Sequence, residues 1–276
     1  MSIAAAAPPP YRSPLLGSIV RIIGLGGLGL YVLLVALSDV IAPAPAGEGY
    51  LSRADQPPAS VFMFGTDALG RNIFSETIHA IAVSVPEAVI AAAVAIALGA
   101  IAGFAAVRLP LSLERATRGI VGVIGAVPAI FLAIVLDAIL GRGLVVIAAG
   151  LAAAPSAFIR SFDRAEAFAD SRHAEFAHAT GIPATTLLRR DLIYEIRAHF
   201  ISVAARVLAL TVALLATLSF LGFGASAPTR DLGRMIDDAR ASFLTDWWTL
   251  VFPALALTLF ILFARMAAIL GEGEAP

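Results

Sequence analysis

Apolar residues in this chain come in long unbroken runs, separated by short polar stretches, with no sustained alternation. A helix needs about 20 mainly apolar residues to cross a bilayer. Six runs fit or approach that length: 16–41, 80–107, 119–140, 143–159, 200–223 and 248–270. The pattern predicts an all-α polytopic membrane protein with six transmembrane helices. Only Gly141 and Arg142 separate the third and fourth runs, which predicts a tight hairpin. Pro86 and Pro128 fall in the second and third runs and are expected to kink them. Gly99 and Gly103 form a small-residue face that would let another span, or a partner's span, approach closely. No internal repeat is visible, which disfavours a transporter built from inverted halves.

Composition agrees with the pattern. Of 276 residues, 59% are hydrophobic and 14% charged, and the mean hydropathy is +0.91. A soluble domain could not hide so much apolar surface. The expected surroundings are membrane lipid. A net charge of −1 offers nothing to nucleic acid. The absence of cysteine excludes disulfides and thiolate chemistry. All 19 basic residues are arginine. Without lysine there is no Walker A phosphate loop and no Schiff base. The chain is therefore expected to bind no cofactor, and any ATP it depends on must be held by another protein.

Basic residues orient the spans. With the N-terminus in the cytoplasm, eleven arginines fall on inner segments (12, 21, 108, 115, 118, 160, 164, 172, 189, 190, 197) and six on outer ones (53, 71, 142, 230, 234, 240). This predicts a multi-pass protein of the cell inner membrane with both termini cytoplasmic. Residues 1–15 read as a disordered tail, 16–79 as the first span and an outer loop, and 80–270 as the main membrane domain. The long inner loop falls at about 160–199. Ala44-Pro45-Ala46 resembles a signal-peptidase site, which leaves open a cleaved first span.

Three polar stretches carry candidate chemistry. Residues 171–190, SRHAEFAHATGIPATTLLRR, include Glu175, Phe176, Ala177 and Gly181. A helix, a glycine break and a second helix at the membrane surface would make a docking knob for a soluble partner. The plainer alternative is an amphipathic helix serving topology alone. In residues 64–75, FGTDALGRNIFS, Gly65, Thr66, Asp67, Gly70 and Arg71 form a turn-and-cap segment. A short amphipathic helix with Ile73, Phe74 and Ile78 follows; the plainer alternative is an outer loop with a helix lying on the membrane. Residues 219–240, SFLGFGASAPTRDLGRMIDDAR, begin with Ser219, Gly222 and Gly224, and Pro228 and Gly233 are expected to shape an outer loop. Asp39, Glu87 and Asp137 sit in or at apolar spans, toward their outer halves. Such carboxylates are expensive and are candidates for a substrate pathway. Headgroup contact or pairing with arginine are the alternatives. His79, His173, His178 and His199 lack metal-ligand spacing, so no metal site is assigned. Ser84, Ser202 and Ser219 lack a histidine partner, which argues against serine hydrolysis.

Glu175-x-Ala177-x-x-x-Gly181 resembles the E-A-A-x-x-x-G coupling loop of ATP-binding-cassette (ABC) importer permeases, with Phe176 at the middle alanine. Residues 64–75 resemble F-G-T-D-x-x-G-R-D-x-F-S-R, with Asn72 and Glu76 replacing Asp and Arg. Residues 219–235 resemble S-F-L-G-x-G-x-x-x-P-x-x-x-W-G-x-M, with Leu232 at the tryptophan. Phe252-Pro253 match a further F-P pair. Ile193-Tyr194 replace a usual Leu-Pro, and Arg265, Ala268 and Ile269 stand where N-x-x-G-D is usual. The resemblance is to the second permease of the dipeptide, oligopeptide and nickel group. It implies a type I ABC importer permease fold and a non-enzymatic subunit that forms the pathway with a sister permease. It further implies two ATPase subunits carrying ATP-Mg, and an extracytoplasmic solute-binding protein. The implied cargo is a short peptide, or nickel or a metal chelate, with Met235–Arg240 tilting slightly toward nickel. An independent secondary transporter or channel is the alternative.

Overall fold

The computed structural model describes residues 14–141, 143–169, 184–224 and 230–271. Glu175, Phe176, Ala177, Gly181 and Pro228 lie outside the described residues, as does nearly all of the expected 1–15 tail. The helices are α1 (Pro14–Ala36), α2 (Ser38–Ile41), α3 (Ile73–Ala95), α4 (Ile101–Ala106), α5 (Leu111–Ala126), α6 (Ala129–Leu140), α7 (Val145–Ala169), α8 (Ala184–Phe220), α9 (Leu232–Ala239) and α10 (Trp247–Ala267). Among the described residues there is no strand, only isolated bridges pairing Gly49 with Arg71 and Thr66 with Asn72. Five helices are long and apolar enough to cross a membrane, or six if α5 and α6 count as one broken span.

A π turn at Ile96–Ala100 joins α3 to α4, making a 34-residue span. This span packs along α7 on small residues. A Cβ added at Gly99 would lie 2.2 Å from the Ala154 carbonyl oxygen, and one at Gly103 2.4 Å from that of Phe158. From the other side, a Cβ on Gly150 would lie 2.7 Å from the Ala91 oxygen. The Gly99/Gly103 face is therefore filled within the chain, by α7. Ala91, Ala95, Ala153 and Ala157 are fully buried along the same seam. The long helix α8 packs on both α3 and α7, and the Thr211 hydroxyl donates to the Ala88 carbonyl at 3.0 Å. Helix α1 is peripheral. It lies on α10 through Gly24, Gly27 and Tyr31, whose hydroxyl donates to the Ala256 carbonyl at 2.5 Å. Its other face leaves Ile22 and Val32 exposed, as suits a lipid-facing surface.

Several expectations need correction. The second span starts at Ile73, not 80, because Asn72 caps it by accepting the Phe74 and Ser75 amides. Ile73 and Ile78 are buried in that span, so no separate surface helix exists there. The third run is broken, not merely kinked: α5 and α6 meet at 93° across Val127–Pro128. Pro128 lacks the N–H needed to carry the helix through, and Val127 is extended. By contrast, α3 runs through Pro86 uninterrupted. Finally, α7 and α8 continue well into the polar stretch between the fourth and fifth runs, and Gly233 sits inside α9 rather than in a loop. The predicted hairpin is present, with Gly141 and Gly143 both at positive φ between α6 and α7.

The seam makes a direct prediction. Alanine favours a helix over glycine by up to about 1 kcal/mol where space is free. At Gly119 no atom lies within 4 Å of an added Cβ, so Gly119→Ala should leave thermal stability in detergent unchanged or slightly raised. At Gly99 the same change forces two backbones apart, with an expected cost of about 1–3 kcal/mol. A lower unfolding temperature for Gly99→Ala than for Gly119→Ala is the expected result.

Candidate translocation path and its cap

Three of the family-like segments, 64–75, the described parts of 219–235, and Phe252-Pro253, are far apart in sequence and meet at one end of the bundle. There α3 begins, α8 ends and α10 begins. In the loop before α3, Gly65 has φ +74° and no room for a side chain: its Cβ would lie 2.7 Å from both the Gln56 carbonyl and the Trp248 ring. Trp248 Nε1 donates to the Thr66 carbonyl at 2.9 Å. The fully buried Thr66 hydroxyl donates to the Arg53 carbonyl at 2.5 Å and accepts the Gln56 amide at 2.9 Å. Phe64 stacks on Phe252 at 3.9 Å between ring centroids. The loop is thus pinned to the start of α10 by Trp248 and by Phe252 of the Phe252-Pro253 pair.

Asp67 organises the rest of this loop. Its Oδ1 accepts the Leu69 and Arg71 amides, each at 2.9 Å, and its Oδ2 pairs with Arg71 Nε at 2.7 Å. Gly70, at φ +71°, is pressed against the Tyr50 backbone. Arg230 reaches in from the segment before α9. It bridges Asp67 at 4.0 Å, Glu76 at 3.5 Å and Asp238. Glu76 is only 3% exposed and also accepts the Gly47 amide at 2.6 Å. A cleft between this loop and α9 is lined by Asp67, Leu69, Arg71, Arg230, Met235 and Asp238.

The second motif closes the end of α8 and fixes α9. Gly222, at φ +88°, ends α8 as its amide donates to the Ser219 carbonyl at 3.0 Å. Gly224 lies against Ser219, where a Cβ would have no space. The Ser219 hydroxyl donates to Asp231 Oδ2, while Asp231 Oδ1 accepts the Arg234 amide at 3.0 Å and so caps α9. Ser84, on α3, accepts the Leu232 amide at 3.0 Å. Gly233 rests on the Ala216 carbonyl, which would lie 2.2 Å from an added Cβ. Ser84 and Ser219 are therefore structural hydroxyls, and Ser202 likewise donates to the Ala268 carbonyl at 2.6 Å.

The three acidic candidates are not brought together: no hydrogen bond or ion pair links them among the described residues. Asp39 lies on α2 with a side chain 95% exposed, 4.0 Å from His79 Nδ1. Glu87 is half-buried on α3, one turn below Ser84, and has Asp231 as a charged neighbour. It has no ion-pair partner among the described residues. Asp137, on α6, is 4% exposed, and its Oδ1 has no hydrogen-bond partner among the described residues. Among the described residues no cluster of metal-binding side chains occurs. Asp231, Arg230 and Trp248 are the site residues that sequence reasoning did not single out. An aspartate directly before L-G-R-M was a readable helix-cap signal for Asp231. No local pattern announces a tryptophan that clamps a loop 182 residues away.

A helical bundle of apolar spans whose polar loops close one end is that of a polytopic membrane protein. No family model matches the chain. It is 30% identical over 249 residues to the glutathione transport system permease protein GsiD of Escherichia coli O1:K1, covering 88% of this chain and 80% of that one. A putative peptide transport system permease protein of Brucella suis biovar 1 is 29% identical over 257 residues, covering 89% and 84% respectively. GsiD of Pectobacterium atrosepticum is 29% identical over 254 residues, covering 89% and 83%. The chain belongs to the ABC importer permeases of the peptide-transport group.

The cap's charge network can be tested. Removing one partner of a buried ion pair costs about 3–5 kcal/mol. Arg230 keeps 18% side-chain exposure, so a smaller loss of about 1–3 kcal/mol is expected for Arg230→Ala, read as a lower unfolding temperature in nanodiscs. Adding Glu76→Gln to that variant removes the stranded charge while an amide oxygen still accepts the Gly47 N–H. Partial recovery of stability is the expected outcome.

Proposed function

We propose that this chain is the pathway-forming subunit of an importer for short peptides, assembled with a sister permease. Two separate ABC ATPase subunits, holding ATP-Mg, bind the segment around Glu175–Gly181 and drive alternating access. An extracytoplasmic solute-binding protein delivers cargo to the cap. The observation that carries the reading is the convergence of the segments at 64–75, 219–235 and Phe252-Pro253 into one cap, in a chain 30% identical to a permease of a glutathione transport system. Exposed apolar side chains on the cap loops, Leu51, Val61, Met63 and Leu244, offer a surface for a docking protein. The arginine distribution supports placing both termini in the cytoplasm, with the cap outside.

Peptide is the better-supported cargo. The ground for nickel was the Met235–Arg240 stretch, and its side chains are engaged within the cap. Met235 is buried, Asp237 pairs with Arg240 at 3.9 Å, and Asp238 pairs with Arg230 and Arg234. Glu87 is the group we assign to a peptide's amino terminus, since it is half-buried below the cap and has no ion partner among the described residues. Asp39, exposed beside His79, fits a headgroup contact better than a place in the pathway.

Two substitutions in reconstituted complex test the reading through ATP hydrolysis and peptide uptake measured together. Gly181→Val adds a β-branched side chain where the family pattern needs glycine. It should leave the chain in the membrane but weaken ATPase binding or uncouple hydrolysis from uptake. Glu87→Gln should leave hydrolysis intact and raise the KM for uptake about tenfold, the loss of one charge-assisted hydrogen bond of about 1.5 kcal/mol. Parent-level hydrolysis and uptake in Gly181→Val would remove the coupling assignment.

A further inference from the structure

Helix α5 is held in an unusual way. None of its residues is buried, and its far end meets the 93° break before α6. Apolar contact with α7 is thin: Val121 packs at the edge of a small cluster formed by Ala106, Phe158 and Phe162. A Cβ on Gly125 would only touch Ile159 and Pro155, at 3.4 and 3.5 Å. A further contact is polar, between half-exposed side chains. Arg118 spreads its guanidinium across one face of α7, with NH2 3.2 Å from Asp163 and NH1 3.2 Å from Glu166. The same guanidinium stacks over the fully buried Phe162 ring, 4.9 Å from its centre. A planar fork shared between two carboxylates and an aromatic face is a geometry that lysine does not reproduce.

The position of this contact gives it meaning. Helix α7 has 25 residues and a length of about 37 Å, longer than the hydrocarbon core of about 30 Å. Asp163 and Glu166 lie in its last two turns, and the chain runs on from Ala169 toward Glu175. On the other side, Arg118 stands nine residues before Val127, where α5 gives way to α6. Under the proposed coupling role, a force on the 175–181 segment would reach α7 at this end. No side chain on α5 is buried, and the half-exposed Arg118 fork, seated on the buried Phe162 ring, ties α5 to α7.

We infer that Arg118 is the positioning residue that joins α7 to α5, so that the two helices move as one unit and motion of the coupling segment turns α6 about Val127–Pro128. This rests on the proposed coupling role of the 175–181 segment.

The test uses the full reconstituted complex and reads uptake per ATP hydrolysed. Arg118→Ala should keep bound ATPase subunits and their hydrolysis, while uptake per ATP falls about fivefold or more. Arg118→Lys, which keeps the charge and loses the fork, should fall in between. The chain has no cysteine, so Gly125→Cys with Pro155→Cys can be joined selectively. The 3.5 Å Cβ separation there is within the disulfide range of about 3.5–4.5 Å. In the Arg118→Ala background, oxidation of that pair should restore uptake per ATP, and reduction should abolish the rescue. Gly181→Val is measured alongside. Uncoupling by Gly181→Val with parent-level coupling in Arg118→Ala overturns the Arg118 link and leaves the coupling segment standing. Intact coupling in both variants overturns both. If Arg118→Ala does not accumulate, the disulfide in the parent background decides. Transport at the parent rate when oxidised supports a single moving unit, and a block by oxidation overturns it.

Discussion

Everything in this bundle depends on how closely α3–α4 can approach α7. In a membrane there is little hydrophobic drive between helices, so association rests on packing. Here the packing is backbone against backbone. Gly99, Gly103 and Gly150 leave no space for even a methyl group, and alanines fill the rest of the seam. That contact sets the groove into which α8 packs. Helix α8 in turn carries Ser219 and Ala216 to the place where α9 is capped and seated. Widening the seam would displace Ser84 from the Leu232 amide and loosen the cap from the spans beneath it.

The cap converts that rigid base into a positioned polar surface. Asp67, Glu76, Arg230 and Asp238 form one charge network, and Trp248 and Phe252 hold the adjoining loop against α10. Each loop contributes groups that the other satisfies, so the cap behaves as a single body tied to α3, α8 and α10. The opposite region, around α5, is built differently. No side chain of α5 is buried, the helix ends at a sharp bend, and the Arg118 fork ties it to α7. A rigid end and a hinged arm in one chain would suit the proposed import cycle, in which cargo is received at a fixed site while the path changes its opening.

Much of this was legible in the sequence. The apolar runs located the spans because bilayer thickness imposes their length. The motifs at 64–75 and 219–240 were readable because turns, caps and tight backbone approaches demand particular residues. Asn72, although a departure from the usual aspartate, still caps α3 with its side-chain oxygen. Glu76, where arginine is usual, is buried and pairs with Arg230, so this chain satisfies the substituted position with an ion pair of its own. Boundaries were less legible: capping, not hydropathy, decides that α3 begins at Ile73. The 93° break at Val127–Pro128 was announced only as a kink, because proline's missing N–H does not specify how far a helix turns. The pairing of Arg118 with Asp163 and Glu166 links residues more than 40 positions apart and has no local signature. The coupling segment itself is read from sequence alone.

The central claim is that cargo crosses through this chain only when separate subunits hydrolyse ATP. The most direct test is peptide uptake by proteoliposomes loaded with this chain purified from its own membranes, with and without the proteins that co-purify with it. The account predicts that a second permease and nucleotide-binding subunits accompany the chain. It predicts uptake only when all are present together with a solute-binding protein and ATP. Uptake by the chain alone, driven by an ion gradient without ATP, would contradict it.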